Sequence, residues 1–417
     1  EWTPVENPEK FDLARRSLFL LAPALICLSL GSTTYMLLNG YKRFFMAAFG
    51  DAAWKFCVVI AVLLGMGVFG WDYRALIFGL VVGSAAKLLT HLAGLGRKTT
   101  RFRFTLRVFT PALKTMGVLM LPLIAGIIFA KVRDIFNNVT ILSSLDTKGL
   151  IQANSFGRKL YVTAGWLIPY AISIAMFPFF CEMVDRNDRQ QFGQVLSQSA
   201  RMLLAVFIPV ALVCIVIAEP VTSFLFESEK FTDRNVLWTS VSMACYTLVL
   251  PAAAVEYLLM QAFFANRKML SVIVVGLIFS AVSILISYAG VRIFSLNGVA
   301  ALAVIALGFS LSRTLKSASL ILILKRRIPF FPWFDTVVFL ARASAVGLVC
   351  LGACFVCNAA FEEWIAAGSA KAVLLAKLTA DGAVATLTFF CAAYLVRLDE
   401  PFTMIKWAID KVRRRKR

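Results

Sequence analysis

Residues 270–290 read LSVIVVGLIFSAVSILISYAG, twenty-one consecutive residues without a charge. A helix needs about 20 such residues to cross the hydrocarbon core of a bilayer. On either side the pattern recurs. Together with Leu270–Gly290, the runs Leu18–Leu38, Trp54–Trp71, Ala75–Leu95, Met116–Leu142, Gln152–Cys181, Arg201–Ala218, Val236–Phe264, Gly298–Leu324, Thr336–Cys357 and Ala372–Val396 make eleven expected transmembrane helices. The runs are continuous rather than alternating, which excludes a transmembrane β-barrel. Composition agrees: 60% of the 417 residues are apolar, 16% are charged, and the mean hydropathy is +0.81. A soluble domain carries about 45–50% apolar and about 25% charged residues. The expected class is therefore an all-α polytopic membrane protein. Its connections are too short to hold a soluble domain. Pro23, Pro122, Pro169, Pro209 and Pro251 fall inside the runs; such breaks are tolerated where neighbouring helices or a cavity re-satisfy the backbone.

The 43 Lys+Arg exceed the 23 Asp+Glu by 20. Basic residues concentrate in cytoplasmic loops. Loops joining odd to even runs hold Lys42 and Arg43; Arg97, Lys98, Arg101, Arg103 and Arg107; Arg186 and Arg189; Arg267 and Lys268; and Lys325, Arg326 and Arg327. The opposite side has Arg74, Lys148, Lys230, Arg234, Arg292 and Lys371, mostly singly. The odd-to-even loops and the C-terminus are thus expected in the cytoplasm, although Arg15 and Arg16 count the other way. Residues 401–417, ending KVRRRKR, read as a basic amphipathic anchor on anionic lipid; membrane lipid, not nucleic acid, is the expected partner. Residues 1–16 are polar and lack a signal-peptide core. The chain opens on Glu1, so sequence upstream is expected to be missing.

Nine Cys are scattered, all but Cys181 deep in apolar runs. Cys350, Cys354 and Cys357 share a helical face, but no His or carboxylate joins them, so packing between helices is expected and no metal. The single His, His91, lacks ligand partners for the same reason. Walker A, dinucleotide-binding, HExxH and GxSxG patterns are missing, so neither a cofactor, ATP hydrolysis nor covalent catalysis is expected.

Ionisable residues within the membrane are costly and point to function. Lys55 lies in the second run and Lys87 in the third. Lys131, Arg133 and Asp134 lie in the fourth, Arg158 and Lys159 in the fifth, Glu256 in the seventh, and Arg313 and Lys316 in the ninth. Structural roles stand beside functional ones: Lys55 and Lys159 can snorkel, Asp134 can pair with Lys131 one turn back, and Glu256 with a neighbouring helix. The bases nevertheless outnumber the two acids, and a buried cation without a partner needs water or an anionic guest. A hydrated cationic cavity for phosphate or carboxylate is expected, because Arg offers a bidentate fork. Gly79 and Gly83 form a small-xxx-small pair suited to close helix packing.

Residues 215–235 read IVIAEPVTSFLFESEKFTDRN. This stretch resembles the "EP…LFE…FT" element of the MurJ/MviN family of lipid II flippases. Gly157-Arg158-Lys159-Leu160 followed by Phe177-Pro178 is similar to the family's "ADRL…FP" helix. Leu250-Pro251-Ala252 with Ala262-Phe263-Phe264-Ala265 resembles "LPA…FYA", residues 297–303 resemble "GxAGLALA", and Arg43-Phe44 leading to Lys55 resembles "RF…LLN". The resemblance implies a two-lobe exporter fold of fourteen helices, of which the first three are absent here. The implied divisions are 1–96, second half of the N-lobe; 97–115, a basic cytoplasmic linker; 116–327, the C-lobe; 328–400, two additional helices; and 401–417, the tail. It further implies a secondary transporter, not an enzyme, in the bacterial inner membrane. The substrate would be an undecaprenyl-diphosphate-linked head group, flipped by alternating access through a cationic cavity, with cell-wall synthesis proteins as further partners. The family's C-lobe cavity arginine falls on Lys159 in an ungapped match, or on Arg158 by residue type; a family Asn falls on Lys55 and a glutamine on Lys87. Lys131, Arg133, Arg158 and Lys159 are then the first expected phosphate contacts, Arg313 and Lys316 the second, with Lys55 and Lys87 also lining the path. Asp134 and Glu256 would position these bases or couple to an ion. A chain lacking three helices is expected not to transport alone. Flippases for another polyprenyl-linked polysaccharide, multidrug antiporters and a non-transporting scaffold of wall synthesis are the alternatives.

Overall fold

The computed structural model describes residues 8–41, 43–96, 110–145, 147, 149–228, 231–326, 328, 331–366 and 371–403. Residues 97–109 of the expected basic linker and 404–417 of the expected amphipathic tail lie outside the described residues, while residues 111–115 of that linker form the start of a helix. Apart from an isolated bridge between Ser228 and Phe231, the regular structure among the described residues is helical. Two compact units, Glu1–Thr110 and Pro111–Arg417, divide the chain.

The first unit holds α1 (Pro8–Gly40), α2 (Phe44–Gly67) and α3 (Tyr73–Leu95), with α3 packed against both others. Its glycines set the spacing. A Cβ at Gly79 would stand 2.9 Å from that of Ala61, and one at Gly83 would stand 2.8 Å from the Trp54 carbonyl oxygen. The expected small-residue pair therefore lets α3 approach the α2 backbone. His91 is fully buried; its Nδ1 lies 3.1 Å from Thr34 Oγ1 and from the Gly31 carbonyl, and its Nε2 lies 3.1 Å from the Ala47 carbonyl. It ties α3 to α1 and α2.

The second unit comprises α4 (Pro111–Ile135), α5 (Leu150–Gly165), α6 (Leu167–Asp185), α7 (Arg189–Val216), α8 (Ala218–Phe226), α9 (Asp233–Thr247), α10 (Leu250–Ala265), α11 (Met269–Tyr288), α12 (Gly298–Lys325), α13 (Trp333–Ala366) and α14 (Lys371–Leu395). Helix α10 is its centre, packed on α6, α7 and α12. Leu258, Leu259, Ala262 and Phe263 are completely buried there, as expected of a helix apolar on every side. The π-helical turn Phe136–Ile141 continues α4, and another, Ala289–Ile293, continues α11.

Two expected spans are broken rather than straight. Gln152–Cys181 becomes α5 and α6, and Val236–Phe264 becomes α9 and α10, bent by 47°. The cause is the same in both. Pro169 and Pro251 lack the N–H that would bond four residues back, to Gly165 and Thr247, and those are the last residues of α5 and α9. By contrast, Pro23, Pro178 and Pro209 lie inside continuous helices. Helix α7 also starts well before the expected Arg201. Asp188 caps it, its carboxylate accepting from the Gln191 N–H at 2.9 Å. Its first turns are polar, so hydropathy alone does not find them.

Among the described residues, α1, α2, α3, α6, α7, α11 with its π-turn, α12, α13 and α14 are long and apolar enough to cross a membrane. The bent α9–α10 pair adds a tenth. The protein is a multi-pass membrane protein. Its large exposed apolar side chains, such as Phe19 and Leu395, cover helices whose solvent is lipid.

Candidate functional site

The second unit gathers charges from four helices. At the end of α4, Asp134 accepts from Arg133 at 3.0 Å and from Arg158 of α5 at 2.8 Å. On α10, Glu256 is 3% exposed and accepts from Arg313 Nε and Lys316 Nζ of α12, each at 2.8 Å. Each acid thus bridges two bases.

Phe309 joins the two bridges. The guanidinium carbons of Arg133, Arg158 and Arg313 stand 4.8, 5.3 and 5.7 Å from its ring centroid. Three cations around one aromatic ring gain from its quadrupole without neutralising one another. Phe309, Arg313 and Lys316 fall on one face of α12 by their spacing of four and three. Tyr161 and Tyr246 back the ring, with centroids 6.1 and 5.3 Å away.

Helix positions follow from local features. Ser310 donates to the Cys245 carbonyl at 2.9 Å and Ser317 to that of Ala252 at 3.0 Å, which fixes α12 against α9 and α10 on either side of Arg313. Beside the cluster, the Tyr246 hydroxyl donates to Asn154 Oδ1 at 3.0 Å, and Asn154 Nδ2 donates to Asn138 Oδ1 at 3.2 Å within the π-turn. The π-turn begins directly after Asp134 and Ile135, where a widened helix re-aims the residues at its edge.

A cavity of about 440 Å³ opens between these helices, lined by Arg133, Arg158, Glu256, Arg313 and Lys316, by Tyr161 and Phe309, and otherwise mostly by apolar residues of α4, α10 and α11. Four formal positive charges meet two negative ones in the cluster, an excess of two. Such an arrangement can hold a doubly charged anion by replacing its hydration with guanidinium and ammonium donors.

The other expected site residues lie elsewhere. Lys131 is exposed on α4; Asp134 pairs with Arg133 and Arg158 instead. Lys159 is exposed on α5, its ammonium 5.6 Å from the Phe156 ring centroid. Lys55 is exposed on α2 in the first unit. Lys87, on α3, is buried, with its Nζ 2.5 Å from Asp51 and 5.7 Å from the Trp54 ring centroid. Sequence reasoning missed Asp51 as that partner, Phe309 as the ring shared by three arginines, and the buried pair Lys377 and Asp381 of α14. The last was visible as two charges four apart in an apolar run; Phe309 carries no signal of its own among so many phenylalanines. Cys350 and Cys354 pack against α14.

Fold and site together define the class: a multi-pass helical membrane protein with ionisable groups gathered between its helices. More particularly, the chain belongs to the family described as lipid II flippase MurJ, whose pattern matches residues 2–375. It is similar to the probable lipid II flippase MurJ of Buchnera aphidicola subsp. Schizaphis graminum, 23% identical over 269 residues, which covers 63% of this chain and 51% of that one. It is likewise similar to the probable lipid II flippase MurJ of Rhizobium meliloti, 25% identical over 268 residues, 63% of this chain and 49% of that one. The chain spans about half the length of the curated relatives it matches. A solved structure of lipid II flippase MurJ in an inward closed conformation superposes with a TM-score of 0.69 at 19% identity, over 93% of this chain and 75% of that one; it shares the fold.

Proposed function

We propose that the chain works as a flippase for the lipid-linked peptidoglycan precursor lipid II in the bacterial inner membrane, with its C-terminus in the cytoplasm. The polyprenyl tail stays in the bilayer while the diphosphate and its sugar–peptide head cross by alternating access, without any covalent change. One observation carries this reading. The cluster of Arg133, Arg158, Arg313 and Lys316 exceeds its acids Asp134 and Glu256 by two charges and borders a cavity. A diphosphate esterified at both ends carries two negative charges. Such a guest would neutralise the cluster, whereas a cationic drug would add to its excess. Asp134 and Glu256 then act as positioning residues: they hold the bases apart and oriented while the site is empty.

Complementation of a flippase-depleted bacterium with the full-length gene tests this. Arg133→Ala, Arg158→Ala and Arg313→Ala are expected to abolish growth at wild-type expression, and Lys159→Ala to retain it. Unimpaired growth of the three arginine variants would remove the cluster from the mechanism.

A further inference from the structure

Lys377 and Asp381 stand one helical turn apart on α14 and play no part in the arginine cluster. They are 7% and 1% exposed. Helix α14 packs against α13, where Cys354 Sγ lies 3.8 Å from the Asp381 carbonyl oxygen. Neither carboxylate oxygen of Asp381 has a nitrogen or oxygen donor as hydrogen-bond partner, and among the described residues no ion pair joins it to Lys377. On α13, one turn beyond Cys354, the Asn358 side-chain oxygen is also buried without a partner. The donor that faces the Asp381 carboxyl group is the Cys357 thiol of α13, a weak one. An ionised carboxylate placed so, in a span bathed by lipid, is far less favourable than the same group with its proton.

We propose that Asp381 is a proton-binding site. In this packing its carboxyl group holds the proton. On release the O–H bond breaks, its electron pair stays on oxygen, and the proton passes to water. The Lys377 ammonium then swings across one turn to pair with the carboxylate. Among the described residues, the other ionisable groups facing Asp381 from α13 are the thiols of Cys354 and Cys357. Helix α8, also packed on α14, has Glu219 as its one ionisable residue, and that side chain is exposed. Among the described residues, Lys377 is therefore the counter-charge available. The ligand is the proton, and the element it acts on is the α13–α14 hairpin.

Infrared spectra of the full chain in liposomes, with aspartate carboxyls isotopically labelled, test the proposal. At neutral pH the wild type is expected to show the labelled C=O stretch of a protonated carboxyl that is lost in Asp381→Asn. Asp381→Glu removes the same labelled band while keeping an acid, so the result does not hang on one variant. As pH rises the band disappears, and Lys377→Met moves that midpoint up by about one pH unit, because the ionised form loses its partner. Wild-type and Asp381→Asn spectra that coincide in this region, or a midpoint unmoved by Lys377→Met, would overturn it.

Discussion

Glu256 shows how much a single buried acid can organise. It is 3% exposed, and both its oxygens are occupied by bases from another helix. Glu256→Gln leaves Arg313 and Lys316 without their counter-charge and raises the local excess from two to three. Breaking a buried pair by removing one partner costs about 3–5 kcal/mol. Thermal unfolding in detergent is expected to show a loss of that order for Glu256→Gln. Adding Lys316→Met should recover part of it, because one of the stranded charges is then gone. A double variant no more stable than the single one would show that Lys316 does not share the carboxylate. Asp134, Glu256 and their four bases were all legible in the chain as charges within apolar runs. Phe309 and Asp51 were not: an aromatic ring among apolar neighbours, or an acid near a helix start, becomes distinctive only once its partners stand beside it.

At the scale of elements, glycine and proline decide where helices touch and where they stop. Gly83 lets α3 meet the α2 backbone, where a Cβ would stand 2.7 Å from Trp54 Cδ1 and 2.8 Å from the Trp54 carbonyl oxygen. Backbone cannot yield as a side-chain tip can, so Gly83→Ala is expected to destabilise the chain by about 1–3 kcal/mol. Gly352, within α13, has nothing within 4 Å of its hypothetical Cβ. Gly352→Ala should be neutral or slightly stabilising, as helix propensity favours alanine by about 1 kcal/mol. Equal melting temperatures for the two variants would contradict the close approach of α2 and α3. The small-residue pattern announced this contact. The prolines were legible as interruptions, but not which of them would break a span. Pro169 and Pro251 end α5 and α9, while Pro209 sits in unbroken α7.

Across the whole molecule, the alternation of basic and sparsely charged loops predicts an orientation. The turn Arg267–Lys268 between α10 and α11 should face the cytoplasm, and the turn around Ser295 between α11 and α12 the opposite side. In a background with the nine native cysteines replaced, Ser295→Cys should react with a membrane-impermeant maleimide added outside, and Arg267→Cys only after permeabilisation. The reverse pattern would invert the topology. The solvent of this chain, the helical state of its runs and their likeness to one family could be read from the order of residues, because apolar length and short motifs are local properties. Which charges meet could not. Glu256 finds its partners 57 and 60 positions away, and Arg158 reaches back to Asp134 on another helix. The period of one helix says which residues share its face but nothing about the face opposite. In lipid, moreover, apolar residues do not select neighbours as they do in water. Packing of small residues, proline breaks and serine contacts sets the helices side by side, and that arrangement joins isolated charges into a cluster with two positive charges to spare.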